Sequence, residues 1–269
     1  MTYKLLALDL DGTLTNRQKE ITARTLAVLL RAQEKGLRVA LASGRPEQGV
    51  LPLARALRLE RYGGFTAAFN GGKIVDLSTG ETVFQETLSP EILPRLYRFA
   101  KTHKAALVTY DACIVTEDEP DAYLELEAGI NRMNIRRVEN FLDYVSFPVT
   151  KCLLMGEPEK MALLEGALRR ELGDGANVFR SEPFFLEVMP PRVDKAYSLS
   201  KLLCYLGLRR KELCAVGDGF NDLTMLQYAG LGAAMKNAQP AVKKAADYVT
   251  RHDNDHDGVA EVVEKFILP

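Results

Sequence analysis

The sequence predicts an α/β protein with a parallel-sheet core and an inserted α+β domain. Two observations predict it. Short apolar runs alternate with helical stretches at both ends of the chain, the pattern of a sheet flanked by helices. Between about residues 86 and 188 strand-like runs follow one another more closely, and from Asp194 the alternation resumes. Residues 1-85 and 189-269 are therefore assigned to one domain, and residues 86-188 to an insertion long enough for a small domain of its own.

Each element has its own signal. Lys4 to Leu8 is a short apolar run that fits a buried strand. A helix opens near Thr22, with Leu26, Leu29 and Leu30 on one face and Gly36 as its stop. Leu37 to Ala42 reads as a second strand, residues 46–58 as a helix, and Phe65 to Phe69 as a third strand. After Asn70-Gly71-Gly72, Ile74-Val75 and Thr82-Val83-Phe84 flank a turn and predict a hairpin. Ser89-Pro90-Glu91 starts a helix with a cap residue and a first-turn proline. In the insertion, strands are expected at Leu107–Tyr110, Ile114–Thr116, Lys151–Met155, Val178–Arg180 and Phe184–Val188, with Pro190-Pro191 as a stiff exit. Then come a helix to about 206, strands at Leu213–Val216 and Leu231–Met235, a helix from Asn221, another over 240–246, a short strand at Tyr248-Val249 and a terminal helix.

Composition narrows the function classes. With 47% hydrophobic and 26% charged residues the chain is an ordinary globular one. Thirty-five basic against thirty-six acidic residues leave a net charge of -1, so no basic field favours nucleic acid. No run reaches the roughly 18 apolar residues of a membrane span. The opening residues enter an acid-bearing strand directly, unlike a signal peptide, so a cytoplasmic protein is expected. Cys113, Cys152, Cys204 and Cys214 form no close pair and are expected as buried free thiols.

Four short segments carry candidate chemistry. Asp9-Leu10-Asp11-Gly12-Thr13 ends the first strand, where ligands of open α/β sheets bind. Two aspartates one residue apart can face one pocket while Gly12 permits a tight turn; a polar strand end with a turn is the plain alternative. Gly217-Asp218-Gly219-Phe220-Asn221-Asp222 follows another buried strand, and Asn221 or Asp222 can equally cap a helix. Four acids at two strand ends would repel without a cation, and oxygen-only ligands suit Mg²⁺. Ser43-Gly44-Arg45-Pro46 offers a hydroxyl and backbone N–H groups for an anion, though it also makes a good turn. Lys195 at a helix start is uninformative by itself.

Together these segments resemble the haloacid dehalogenase superfamily of phosphotransferases. They match its four motifs in order: Asp9-x-Asp11-Gly-Thr, Ser43, Lys195, and Gly217-Asp218-x-x-Asn221-Asp222. The insertion is similar to the type IIB cap of the Cof-type branch. Asn70-Gly71-Gly72, Phe185-Leu186-Glu187-Val188, Met235-Lys236-Asn237-Ala238 and Asp257-Gly258-Val259-Ala260 fall where that branch has similar segments. Ala196 and Lys236 depart from it, since glycine is usual at both places.

The resemblance implies a Rossmann-like core, an inserted cap acting as a lid, and a Mg²⁺-dependent phosphatase acting on small phosphomonoesters such as sugar phosphates. Asp9 would be the nucleophile and Asp11 the general acid and base. Asp9, Asp11 through its carbonyl, Asp218 and Asp222 would hold the metal. Ser43, Gly44, Lys195 and Asn221 would bind the phosphoryl group. A phosphotransferase or phosphomutase, and a non-catalytic phosphosugar sensor, are the competing expectations. The tract from His252 to Asp257 is read as a solvated loop before the last helix, and Phe65, Phe69, Phe184 and Phe185 as core. Asp111, Lys151 and Arg180 lie near strand ends and are equally assigned to substrate contact or surface.

Overall fold

The computed structural model describes residues 2–268. The fold is α/β, and the chain divides into two compact units, Met1–Phe84 with Asp194–Pro269, and Gln85–Val193. The expected boundaries at 85/86 and 188/189 compare with 84/85 and 193/194, because Met189 to Val193 group with the inserted unit.

The first unit is built on an eight-stranded sheet. Its order is Tyr248–Val249, Leu231–Ala234, Leu213–Gly217, Leu5–Leu8, Arg38–Ala42, Phe65–Ala68, Lys73–Asp76 and Thr82–Gln85. Strands from Tyr248–Val249 through Phe65–Ala68 pair in parallel; Lys73–Asp76 turns antiparallel. All residues of Leu5–Leu8 and Leu213–Gly217 are buried, as expected for strands covered on both faces. From Leu5–Leu8 the chain proceeds to one side of the sheet, and after the insertion it fills the other. The carboxyl ends of Leu5–Leu8 and Leu213–Gly217 therefore flank the topological switch point, the crevice where such sheets bind ligands.

Helix ends follow local chemistry. Thr22 caps Ala23–Glu34 by accepting from the Thr25 N–H, and Gly36 lies beyond its end with φ 95. Asp194 caps Lys195–Leu206 by accepting from the Tyr197 N–H at 2.7 Å, which fixes where Lys195 leaves the chain. The expected helix over 46–58 is shorter, Glu47–Ala56, followed by the turn Leu59–Tyr62. The helix expected from Asn221 begins at Leu223, after a tight 3₁₀ turn over Phe220–Asp222.

The inserted unit has a six-stranded sheet of its own, in the order Asn177–Glu182, Phe185–Met189, Cys152–Met155, Ala106–Tyr110, Ile114–Thr116 and Ile135–Arg137. The last strand, Ile135–Arg137, has no counterpart among the expected elements. It is a short edge strand with two exposed arginines and shows no apolar pattern. Leu107, Cys152, Leu154, Leu186 and Val188 enter the core of this unit with Leu96, Met161 and Leu168 from its helices. Residues between them in sequence, among them Tyr110, Lys151 and Glu187, alternate to the opposite face.

Two further expectations need correction. Cys113, Cys152 and Cys214 are buried free thiols, but Cys204 is exposed on Lys195–Leu206. The tract from His252 to Asp257 is no simple solvated loop. Asp257 accepts from Thr25 Oγ1 at 3.1 Å and also from Thr22 Oγ1, Asp255 accepts from the Arg17 N–H at 2.9 Å, and Asn254 Nδ2 donates to the Thr15 carbonyl at 2.8 Å. These side chains bind the segment following the first strand, which short-range sequence patterns cannot show.

Candidate active site

Parallel pairing of Leu8 with Val216 brings the ends of two central strands side by side. Asp9 leaves one and Asp218 the other, and the Asp9 N–H donates to the Val216 carbonyl at 3.1 Å. Gly12 turns the chain back with φ 84, and a Cβ there would lie 2.4 Å from Asp218 Oδ2. Only glycine combines that conformation with so close an approach. Thr13 Oγ1 then donates to Asp218 Oδ1 at 2.6 Å.

Lys195 is the hub. Its Nζ donates to Asp9 Oδ1 and to Asp222 Oδ1, both at 2.6 Å, and its side chain has no exposed surface. Asp222 Oδ2 accepts the N–H groups of Asp218 and Gly219 at 2.8 and 2.9 Å. Both Asp222 oxygens are thus engaged in orienting Lys195 and the Asp218 loop. Asp9 Oδ2 accepts no hydrogen bond among the described residues.

Electrostatics follow from burial and from the excess of acids. Burial first, then the charge of Asp222, push the Asp9 carboxyl upward, with Lys195 opposing. Burial raises Asp218 to about 6, against the Thr13 hydrogen bond and with help from Asp222. Burial would lower the Lys195 ammonium, but Asp222 and Asp9 outweigh it and hold it charged.

Asp11 points into different surroundings. Arg45 grips it with two hydrogen bonds, Nε to Oδ2 at 2.8 Å and Nη2 to Oδ1 at 2.6 Å, and Lys19 Nζ adds a third at 2.6 Å. Burial would raise this carboxyl, yet these two cations hold it below the usual range. Ser43 is buried and its Oγ accepts from the Arg45 N–H at 3.2 Å. Exposed Asn221 donates through Nδ2 to Asn70 Oδ1 at 3.1 Å, and Asn70 lies against Gly44.

The chain matches the haloacid dehalogenase-like hydrolase family over residues 6–263. It belongs to that family. A solved haloacid dehalogenase-like hydrolase from Bacteroides thetaiotaomicron is 50% identical with TM-score 0.95, over 98% of this chain and 99% of that one. The Bacillus subtilis (strain 168) protein YxeH, provisionally named a phosphatase, is 30% identical over 270 residues, 99% of each chain. A second Bacillus subtilis (strain 168) protein, the 5-amino-6-(5-phospho-D-ribitylamino)uracil phosphatase YcsE, is 28% identical over 98% of this chain and 96% of its own. These full-length relatives place this haloacid dehalogenase-like hydrolase in the Cof-type phosphatase branch.

The hydrolase has a donor set fit for a metal ion. Asp9, Asp218 and Asp222 each offer an oxygen within 4.8 Å of the others. Three buried or half-buried carboxylates against one lysine leave two uncompensated negative charges, and an all-oxygen set suits a hard divalent cation. The tract of His252 to Asp257 forms no comparable cluster among the described residues.

Arg45 and Lys19 escape a sequence reading of this hydrolase. Arg45 stands beside Ser43 as a turn residue, and Lys19 lies in a polar loop with φ 62. Only the fold joins them to Asp11. Of the three candidates in the inserted unit, Asp111 and Arg180 are exposed, the latter paired with Glu165 at 2.9 Å. Lys151 is buried and pairs with Glu187 at 2.8 Å. Among the described residues no helix is long and apolar enough to cross a membrane.

Proposed function

We propose that this protein is a Mg²⁺-dependent phosphatase that hydrolyses small phosphomonoesters, sugar phosphates foremost, through an aspartyl-phosphate on Asp9. One observation carries the reading. Asp9 is a buried carboxylate with one oxygen fixed by Lys195 and the other accepting no hydrogen bond among the described residues, at the switch point of the sheet.

Asp9 Oδ2 would attack phosphorus while the bond to the leaving oxygen breaks, and Asp11 would give that oxygen its proton. In the second half, Asp11 would take a proton from water as the water oxygen attacks phosphorus. The bond to Asp9 then breaks and inorganic phosphate leaves. Ser43, Gly44, Lys195 and Asn221 would hold the phosphoryl oxygens, where positioning and charge neutralisation do most of the catalysis. Mg²⁺, held by Asp9, the Asp11 carbonyl and Asp218 with Asp222 orienting the loop, would supply positive charge at those oxygens. Arg45 and Lys19 keep Asp11 ionised, the form suited to the second half. The first half requires their grip to loosen.

The substrate class rests on resemblance and on YcsE, named for a substrate with a phosphorylated ribityl chain. The inserted unit is assigned the choice of leaving group. Four unpaired cysteines suit a reducing cytoplasm. The test is phosphate release from p-nitrophenyl phosphate and then from a panel of sugar phosphates, with Mg²⁺. Release that persists undiminished in Asp9→Asn overturns the covalent route; phosphoryl transfer to an added sugar with no free phosphate turns the reading toward a phosphotransferase.

A further inference from the structure

The turn that follows strand Phe65–Ala68 takes a costly backbone conformation. Phe69, Asn70 and Gly71 have φ of 54, 52 and 92 in succession. Left-handed backbone is open to glycine and tolerable for asparagine, but a bulky residue such as phenylalanine rarely adopts it. Strain of this kind persists where surrounding structure enforces it, and it gathers at functional sites.

The surroundings are specific. The Phe69 N–H donates to the Arg45 carbonyl at 2.9 Å and the Asn70 N–H to the Ser43 carbonyl at 2.8 Å. The Asn70 carboxamide lies so close to Gly44 that a Cβ there would sit 3.3 Å from it. Asn70 Oδ1 accepts from Asn221 Nδ2 at 3.1 Å. On the far side Gly71 abuts the helix that carries Lys195: a Cβ on it would be 1.9 Å from Ser198 Oγ and 3.3 Å from the Asp194 carbonyl. One strained turn therefore touches the Ser43–Arg45 loop, the Asn221 loop and the Lys195 helix. These three segments carry all the groups assigned above to the phosphoryl oxygens.

We infer that Asn70 is a positioning residue for the phosphoryl site, setting the Asn221 amide and the Ser43-Gly44 backbone at the distance a bound phosphoryl group needs. The inference rests on the phosphatase reading, in which those groups bind phosphate. Asn70 does not touch the reacting atoms. It acts through Asn221 and Gly44, and its left-handed backbone is what brings its carboxamide to them.

The test uses the full chain with Mg²⁺ and two probes, inorganic phosphate by calorimetry and p-nitrophenyl phosphate by turnover. Asn70→Gly keeps the backbone conformation and removes the carboxamide. It is expected to melt within a few degrees of the parent, since the left-handed strain that glycine relieves is offset by its greater freedom in the unfolded chain. Phosphate binding should weaken, and kcat/KM should fall by about tenfold, as for loss of one hydrogen-bonded contact. The loss should fall mainly on KM, in proportion to the phosphate Kd. Asn221→Ala should give a similar loss, and the double variant should be no worse than the poorer single one. Unchanged phosphate binding in Asn70→Gly, a melting temperature that falls well below the parent's together with activity, or additive losses in the double variant would each overturn the inference. A parent protein that neither binds phosphate nor turns over substrate would instead sink the phosphatase reading.

Discussion

Each unit of this protein buries a lysine against carboxylates, and the two arrangements differ in charge balance. In the inserted unit Lys151 meets Glu187 at 2.8 Å, each with about 5% of its side chain exposed. In the first unit Lys195 meets Asp9 and Asp222 at 2.6 Å, with Asp218 beside them. The first is a single ion pair inside its sheet, with the buried Glu127 carboxylate beside it accepting from the Tyr110 hydroxyl at 2.6 Å. The second is overcharged, sits where two strands end, and is served by loops in which glycines allow close approach. A buried pair is weak evidence of stability and no evidence of function. A surplus of buried like charge at a ligand crevice is different, because something must arrive to compensate it.

The sharpest way to break the comparison is to replace one carboxylate in each cluster. Asp9→Asn should lower kcat on the order of 10⁴-fold or more, the scale on which losing a nucleophile acts. It should leave the melting temperature unchanged or higher, because burial chiefly, and then the charge of Asp222, disfavour an ionised carboxylate at this position. Glu187→Gln should do the reverse, lowering stability by up to about 3–5 kcal/mol by removing the anion from a buried ion pair while leaving p-nitrophenyl phosphate turnover within a few-fold. Thermal melts and single-turnover assays on both variants check this. Equal loss of stability in the two would mean the overcharged cluster is as structural as the single ion pair.

Asp11 sharpens the contrast from outside the lysine cluster. Asp11→Asn should slow turnover by about 10²–10⁴-fold on alkyl phosphates, the range for general acid–base catalysis. On p-nitrophenyl phosphate, whose leaving group needs little protonation, the first chemical step should suffer far less. Arg45→Lys should act on the other half of the reaction, since an ammonium cannot reproduce the paired hydrogen bonds at 2.8 and 2.6 Å that hold Asp11 as the carboxylate taking a proton from water; its smaller loss should be shared by good and poor leaving groups. Equal losses of Asp11→Asn on good and poor leaving groups would remove Asp11 from the acid role.

How much of the molecule is legible in its sequence varies with the range of the interaction. The α/β class, the alternating strands and the insertion are read from runs of a few residues, such as Leu5–Leu8 and Leu213–Gly217. The location of Asp9 and Asp218 is legible because each follows such a run directly. Lys195 is not: a lysine after a helix cap has no local mark, and only the resemblance singles it out. Arg45 meets Asp11 across 34 residues and Asn254 meets Thr15 across 239, so their partners exist only once the sheet has assembled. Ile135–Arg137 is illegible because an exposed edge strand needs no apolar alternation. Cys204 reads as an interior residue because cysteine is usually buried, yet it lies on an exposed position of its helix.

The smallest expected effect concerns how stability varies with pH, and it follows from the same surplus charge. Without a cation, burial chiefly, with Asp222 adding, holds Asp218 at about 6, above the usual unfolded value of about 3.9. The native state therefore binds this proton more tightly than the unfolded state does. Its contribution to stability is fully present below about pH 4 and is lost as pH rises through about 6. The loss amounts to roughly 1–3 kcal/mol, from about 1.4 kcal/mol for each tenfold difference in proton affinity between the two states. Asp9, also raised, acts in the same sense. Glu212 and Glu261, held at about 2, act oppositely and lose their contributions as pH falls below about 4.5. The difference between the parent and Asp218→Asn isolates the site from them. In chelator, melting temperatures measured from pH 4 to 7 should fall more for the parent than for Asp218→Asn. Added Mg²⁺ should abolish that difference and raise the parent at pH 7, since a bound cation stabilises the carboxylate form and the native state together. A parent that gains stability over this window in chelator, relative to Asp218→Asn, would show that the acids at the two strand ends do not form an overcharged site.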